Sequence, residues 1–183
     1  MSRFLFVLGS SRRDGNTEQL ARHAAQRLPA DTEQRWLWLG DIPLPTFADT
    51  RHSDPLPPPT GNERLLLDAT LDATDIVIAS PLYWYSVSSS TKTYLDYWSA
   101  WLRVPEADFR KRMAPKALWG ISVLAGHDSA LADPLEGMLR RSAAYLDMRW
   151  SGLLLGNGSQ PGDVQRDTDA LARAEHFFTP ALV

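Results

Sequence analysis

Five short apolar runs, each followed by a stretch with helical spacing, constrain this 183-residue chain more than any other feature. Phe4-Leu5-Phe6-Val7-Leu8 is continuous and of strand length, and Asp75-Ile76-Val77-Ile78-Ala79 repeats the pattern. Runs without polar alternation suit strands buried on both faces, as in a parallel sheet. Arg35–Leu39, Ala117–Leu124 and Trp150–Leu155 complete the set. Between them, Leu20, Ala21, Ala24, Ala25 and Leu28 share one helical face, and Glu63–Leu71 is a short helix. Tyr94, Leu95, Trp98, Trp101 and Leu102 recur at helical spacing and read as core. Asn16 with Gln19 marks the start of the first helix, and Asp133-Pro134-Leu135-Glu136 starts a later one with Asp133 as N-cap. Asp167 or Thr168 caps a last helix that turns Leu171, Ala174, Phe177 and Phe178 inward. Such alternation predicts an α/β fold with a parallel sheet covered on both faces. Residues 1–183 fit a single domain, at about 100–200 residues per domain. The segment 41–61, with Pro57-Pro58-Pro59, is expected to be a proline-rich surface loop of that domain.

Composition excludes several functions. A net charge of -3 without a basic stripe gives no footprint for nucleic acid. The absence of cysteine removes disulfides, thiolate metal sites, iron–sulfur ligation and thiol nucleophiles, and fits a cytoplasmic protein. His52-Ser53-Asp54 and His127-Asp128 lack metal-ligand spacing, so no metal is expected. The first apolar run is too brief for a signal peptide, and no segment approaches a membrane span. No Gly-x-Ser-x-Gly is present to suggest a hydrolase.

In open parallel sheets, ligands gather at the carboxyl ends of the strands where the strand order reverses. That directs attention to loops 9–17, 80–90 and 124–132. Gly9-Ser10-Ser11-Arg12-Arg13-Asp14-Gly15-Asn16-Thr17 joins the first strand to the first helix. A helix N-terminus carries unpaired N–H groups and a partial positive charge, and Ser10, Ser11, Asn16 and Thr17 add donors suited to phosphate oxygens. The same residue types also make an ordinary helix cap. There is no Gly-Lys-Ser/Thr and no Gly-x-Gly-x-x-Gly, which disfavours a P-loop or a dinucleotide-binding Rossmann domain. Ser80-Pro81-Leu82-Tyr83-Trp84-Tyr85-Ser86-Val87-Ser88 sets three consecutive aromatics at the mouth of the sheet, suited to a flat heterocycle.

Together, Gly9-Ser10-Ser11-Arg12-x-x-Gly15-Asn16-Thr17-x-x-Leu20-Ala21 and Ser80-Pro81-Leu82-Tyr83-Trp84-Tyr85-Ser86, followed by Lys92 and Asp96, resemble the NAD(P)H-dependent FMN reductase family of flavodoxin-like proteins. The resemblance implies a three-layer sandwich with a five-stranded parallel sheet in the order 2-1-3-4-5, covering essentially the whole chain. It implies FMN, with its phosphate at Ser10, Ser11, Arg12, Asn16 and Thr17. The isoalloxazine and ribityl chain would follow Pro81, Leu82, Tyr83, Trp84, Tyr85 and Ser86, and Ala125, Gly126 and His127 would close over the ring edge. It implies NAD(P)H as donor, a small acceptor such as a quinone or a flavin, and a homodimer or homotetramer. Three departures stand out: the lack of cysteine excludes the iron–sulfur branch, the third loop is poor in glycine, and Tyr97 stands where an arginine commonly follows the aspartate. No catalytic side chain is expected, since the flavin carries the redox chemistry. His127 is expected to cap or hydrogen-bond ahead of the Asp133 helix rather than to act as an acid. The rival is a flavodoxin-type electron carrier without its own NAD(P)H activity, a type that is usually strongly acidic around the flavin.

Overall fold

The computed structural model describes residues 1–49 and 57–179. β1 (Arg3–Leu8), β2 (Glu33–Trp38), β3 (Asp75–Ala79), β4 (Ala117–Leu124) and β5 (Arg149–Asn157) form one sheet in the order β2-β1-β3-β4-β5. Every pairing is parallel, with Phe6 of β1 beside Trp36 on one side and Val77 on the other. The flavodoxin-like α/β order expected from the resemblance is the order found.

Alternate residues of the same strands feed two apolar layers, which is why the runs read as continuous. Leu5, Val7, Ile76, Ile78 and Leu118 pack on α2 (Gly61–Asp72), α3 (Ser89–Trp101), α4 (Phe109–Met113) and α5 (Asp133–Tyr145). Phe4, Phe6, Val77, Trp119 and Ile121 pack on α1 (Asn16–Ala25) and α6 (Thr168–Ala174). Tyr94, Trp98 and Trp101 are buried in the first layer, as their spacing predicts. In the second layer Phe6 stacks on Trp36 at 3.9 Å, and Phe178 meets Phe4 and Trp119 edge-on at 5.2 Å each.

Some local expectations change. α1 is capped by Gly15, without a side-chain hydrogen bond, because the Asn16 amide is engaged elsewhere. Asp133 is the first residue of α5 and not its N-cap: a 3-10 turn over Ser129–Ala132 precedes it, and Asp128 caps that turn by accepting from Ala130 N at 3.0 Å. Asp167 caps α6 as expected, accepting from Ala170 N at 3.0 Å, but the helix ends at Ala174. Phe177 and Phe178 therefore point inward from the turns that follow. α4 has no counterpart in the sequence reading. Residues 41–49 and 57–60 are neither helix nor strand, and the rest of the proline-rich segment up to Leu56 lies outside the described residues, His52-Ser53-Asp54 included. Among the described residues no helix is long and apolar enough to cross a membrane.

Candidate functional site

β1 has β2 on one side and β3 on the other, so the connections leaving β1 and β3 diverge and open a crevice at their carboxyl ends. The first loop is braced from several directions. Trp38 Nε1 donates to the Ser10 carbonyl at 2.6 Å, Ser90 Oγ donates to the Gly9 carbonyl at 3.3 Å, and Arg12 N donates to Ser10 Oγ at 3.1 Å. A Cβ on Gly9 would fall 1.8 Å from Thr91 Oγ1, so only glycine lets the loop lie this close to α3. Asp14 takes a left-handed φ of 51°, and its N–H donates to Glu18 Oε2 at 2.9 Å. Glu18 is itself held by Arg22 at 2.7 Å.

The chain thus enters α1 with its polar groups open. Among the described residues the N–H groups of Asn16, Thr17 and Glu18 have no protein acceptor, and the Thr17 hydroxyl has no partner. Such a helix start favours an anion. Arg12 makes no ion pair among the described residues, whereas Arg13 is tied to Asp41 at 2.5 Å with its guanidinium 4.0 Å over the Trp38 ring.

The second loop is closed upon itself. Ser80 N and Leu82 N donate to the carbonyls of Ile121 and Val123, prolonging the β3–β4 pairing beyond the strand ends. Ser80 Oγ accepts from Ser88 N at 2.9 Å, and Ser88 caps α3 by accepting from Thr91 N. Tyr83 and Ser86 exchange both N–H···O bonds, at 2.9 and 3.1 Å, around Trp84 (φ 48°) and Tyr85 (φ 63°). Two left-handed central residues are the pattern of a type I′ turn, which Asn-Gly usually fills. A side chain in that region is strained by roughly 1–2 kcal/mol per residue. The turn leaves Trp84 93% exposed, beside exposed Tyr83 and Tyr85.

A cavity of about 190 Å³ lies between these loops. Ser10, Arg12, Asn16, Thr17, Pro81, Leu82, Tyr83 and Ala125 line it, and Ser11 Oγ lies 3.4 Å from the Tyr83 hydroxyl. Trp84, Tyr85 and Ser86 stand outside its lining. Gly126 and His127 line a separate cavity of about 560 Å³ with Asn157, Asp163 and Asp167. His127 is exposed and makes no hydrogen bond among the described residues; the capping role expected of it belongs to Asp128. The smaller cavity also includes Val123, Gly158, Ser159 and Pro161, which the sequence reading passed over. The position of Gly158-Ser159-Gln160-Pro161-Gly162 just past β5 was the available signal. Among the described residues no group of three His, Asp or Glu side chains could hold a metal.

The enclosed volume is below the roughly 300–1,000 Å³ of a pocket that takes a whole small ligand, so it suits one narrow, polar end of a longer molecule. A phosphate monoester fits this donor set. A Cβ on Gly15 would press on Ser10 Oγ at 3.1 Å and on the Arg12 carbonyl at 3.3 Å, so the loop curls too tightly for a side chain there.

The sequence profile of the NADPH-dependent FMN reductases matches residues 2–149, most of the chain. The chain belongs to the NADPH-dependent FMN reductase family. It is 30% identical over 174 residues, 94% of each chain, to a Bacillus subtilis (strain 168) protein named as the NAD(P)H-dependent FMN-containing oxidoreductase YwqN. Among solved structures it resembles the Trp repressor binding protein from Bacillus subtilis, at 26% identity and a TM-score of 0.78, covering 97% of this chain and 99% of that one. An NADPH-quinone reductase from P. pentosaceus shares the fold at 15% identity and a TM-score of 0.62, over 98% and 99% of the two chains. Membership makes this chain an oxidoreductase that works with FMN and NAD(P)H.

Proposed function

We propose that residues 1–183 act as one FMN-binding domain that passes reducing equivalents from NAD(P)H to a small planar acceptor, a quinone or a flavin. The observation that carries this reading is the group of uncommitted donors at the α1 N-terminus, gathered in a cavity where the strand order reverses. Three N–H groups and the Thr17 hydroxyl match the acceptor oxygens of a phosphate, and Arg12 adds the charge. Ser10 would complete that end, with Ser11 outside the lining but 3.4 Å from the Tyr83 hydroxyl, and Pro81, Leu82, Tyr83 and Ala125 would flank the rest of the nucleotide. Gly126 and His127 form the outer rim.

When bound, FMN supplies the chemistry by which a nicotinamide is oxidised and an acceptor reduced. The chain binds and orients. Arg12 is the one charged residue in the cavity lining. The exposed aromatics Trp84 and Tyr85 offer flat faces beside the crevice to a planar acceptor.

A second copy of the chain is assigned to the groove between α3 and α5, as a homodimer or as half of a homotetramer. This groove of about 650 Å³ is lined by Leu95, Trp98, Leu102, Met138 and Tyr145. NAD(P)H being an intracellular reductant, the protein is assigned to the cytoplasm. The test is an absorbance titration of the FMN-loaded protein without oxygen. NADPH or NADH should bleach the flavin band and a quinone should restore it; NAD(P)H left unoxidised would favour the carrier.

A further inference from the structure

The connection from β5 to α6 lies beyond the residues matched by the family profile, which end at 149. Its first turn nevertheless forms a wall of the phosphate cavity, through Gly158, Ser159 and Pro161. One side chain of the first loop holds it there. Asn16 Nδ2 donates to the Gln160 carbonyl at 2.8 Å, and Asn16 Oδ1 accepts from Gly162 N at 2.9 Å and Val164 N at 3.4 Å. Both acceptor sites of the amide and one of its two donor hydrogens are thereby engaged. The approach is close: a Cβ on Gly158 would fall 2.8 Å from Asn16 Nδ2 and 3.1 Å from Val164 N.

The turn is fixed from its other side as well. Asp163 Oδ2 accepts from Ser159 N at 3.0 Å and Gln160 N at 2.7 Å, and these two N–H groups are the main reason the Asp163 carboxyl is held below its usual range. Gln165 Nε2 donates to Gln19 Oε1 at 3.0 Å, a second clasp onto α1. Against this background the Ser159 hydroxyl stands out. Ser159 is an exposed residue of the cavity lining, and its hydroxyl has no partner among the described residues.

We infer that the Asn16 side chain is a positioning group, not a phosphate ligand: its amide latches the β5–α6 turn against α1 so that Ser159 presents a further hydroxyl to the phosphate end of the bound flavin nucleotide. The inference rests on the reading of the cavity as the FMN phosphate site and adds a fourth wall to it. It also explains why an asparagine stands at the first turn of α1 while the helix does without a side-chain cap. Ser159 and Thr17 line the same cavity although they lie far apart in sequence.

The test compares dissociation constants of FMN and riboflavin for the full-length protein and its variants, read by quenching of flavin fluorescence. Ser159→Ala should weaken FMN about tenfold, the order expected for losing one hydrogen bond to a charged oxygen, and leave riboflavin unchanged. Asn16→Ala should weaken FMN at least as much. The double variant should bind no worse than about threefold below Asn16→Ala alone, because both changes remove the same contact. Amide exchange over residues 158–164 should quicken in Asn16→Ala even without flavin. If Asn16→Ala does not fold, Gly158→Ala displaces the same amide and carries the same expectation. Wild-type affinity for FMN in Ser159→Ala, or losses that multiply in the double variant, would overturn the latch. A wild-type protein that binds no FMN would instead overturn the reading of the cavity itself.

Discussion

Around the amino ends of β1, β3 and β4, polar groups are engaged by one another; at the carboxyl ends of the sheet, several are left open. Lys116, just ahead of β4, is buried, and its Nζ donates to the carbonyls of Leu71, at 2.8 Å, and Ala73, where α2 ends. Nearby, Arg3 N donates to Thr74 Oγ1 at 2.8 Å, Arg3 Nε donates to the Asp72 carbonyl at 2.6 Å, and Trp119 Nε1 donates to Asp75 Oδ1 at 3.0 Å. At the opposite end, the first N–H groups of α1, the Thr17 hydroxyl and the Ser159 hydroxyl have no partner, and two aromatics sit in strained backbone. One end of the sheet is arranged for stability, and the other keeps its donors for a ligand.

Substitutions at the two ends should therefore separate binding from stability. The largest effect is expected from Thr17→Asp. It places a carboxylate where the phosphate is proposed to sit, and FMN affinity should fall at least about a hundredfold in a fluorescence titration. An acid in the first turn of a helix is otherwise favourable, so the melting temperature should hold. Lys116→Met should do the reverse: the folding free energy should drop by about 1–3 kcal/mol in urea melts, with FMN affinity unchanged.

The pH dependence of that second effect has a definite sign. Burial, reinforced by Arg112 and Arg3, lowers the Lys116 pKa to about 8 from 10.5. Below pH 8 both the folded and the unfolded chain hold the proton. Between pH 8 and 10.5 the unfolded chain holds more of it, so the stability contributed by this lysine rises with pH. The gap between wild type and Lys116→Met should widen across that window.

A smaller effect is expected when Trp84-Tyr85 is replaced by Asn-Gly. The new pair suits a type I′ turn, so stability should rise by roughly 1–2 kcal/mol while KM for a quinone increases. If KM is unchanged, the exposed aromatics do not serve the acceptor. Least of all should follow from Arg13→Ala, whose guanidinium is committed to an exposed pair with Asp41 and to the Trp38 ring. It should cost less than about 1 kcal/mol and leave FMN affinity within about threefold.

The strands and the first loop were legible because their signals are local. Phe4–Leu8 and Asp75–Ala79 carry their burial in their own composition, and Gly9–Thr17 joins a strand to a helix within nine residues. The Asn16 amide was not legible, since its partners Gln160, Gly162 and Val164 lie more than 140 positions away and the same residue at a helix start also reads as a cap. The left-handed turn at Trp84-Tyr85 was equally hidden, because neither residue type signals a positive φ. Ser159 carries no local signal of its own, since a serine in a Gly-Ser-Gln-Pro-Gly turn past β5 has the composition of any surface turn.

The start of α1 must grip a phosphate for this site to bind FMN as proposed. Parallel titrations of the wild-type protein with FMN and with riboflavin test this directly, since the two ligands share the ring and the ribityl chain and differ in the phosphate alone. The prediction is FMN binding at least about a hundredfold tighter than riboflavin at low salt, from several charge-assisted hydrogen bonds. Equal affinities for the two flavins would contradict it.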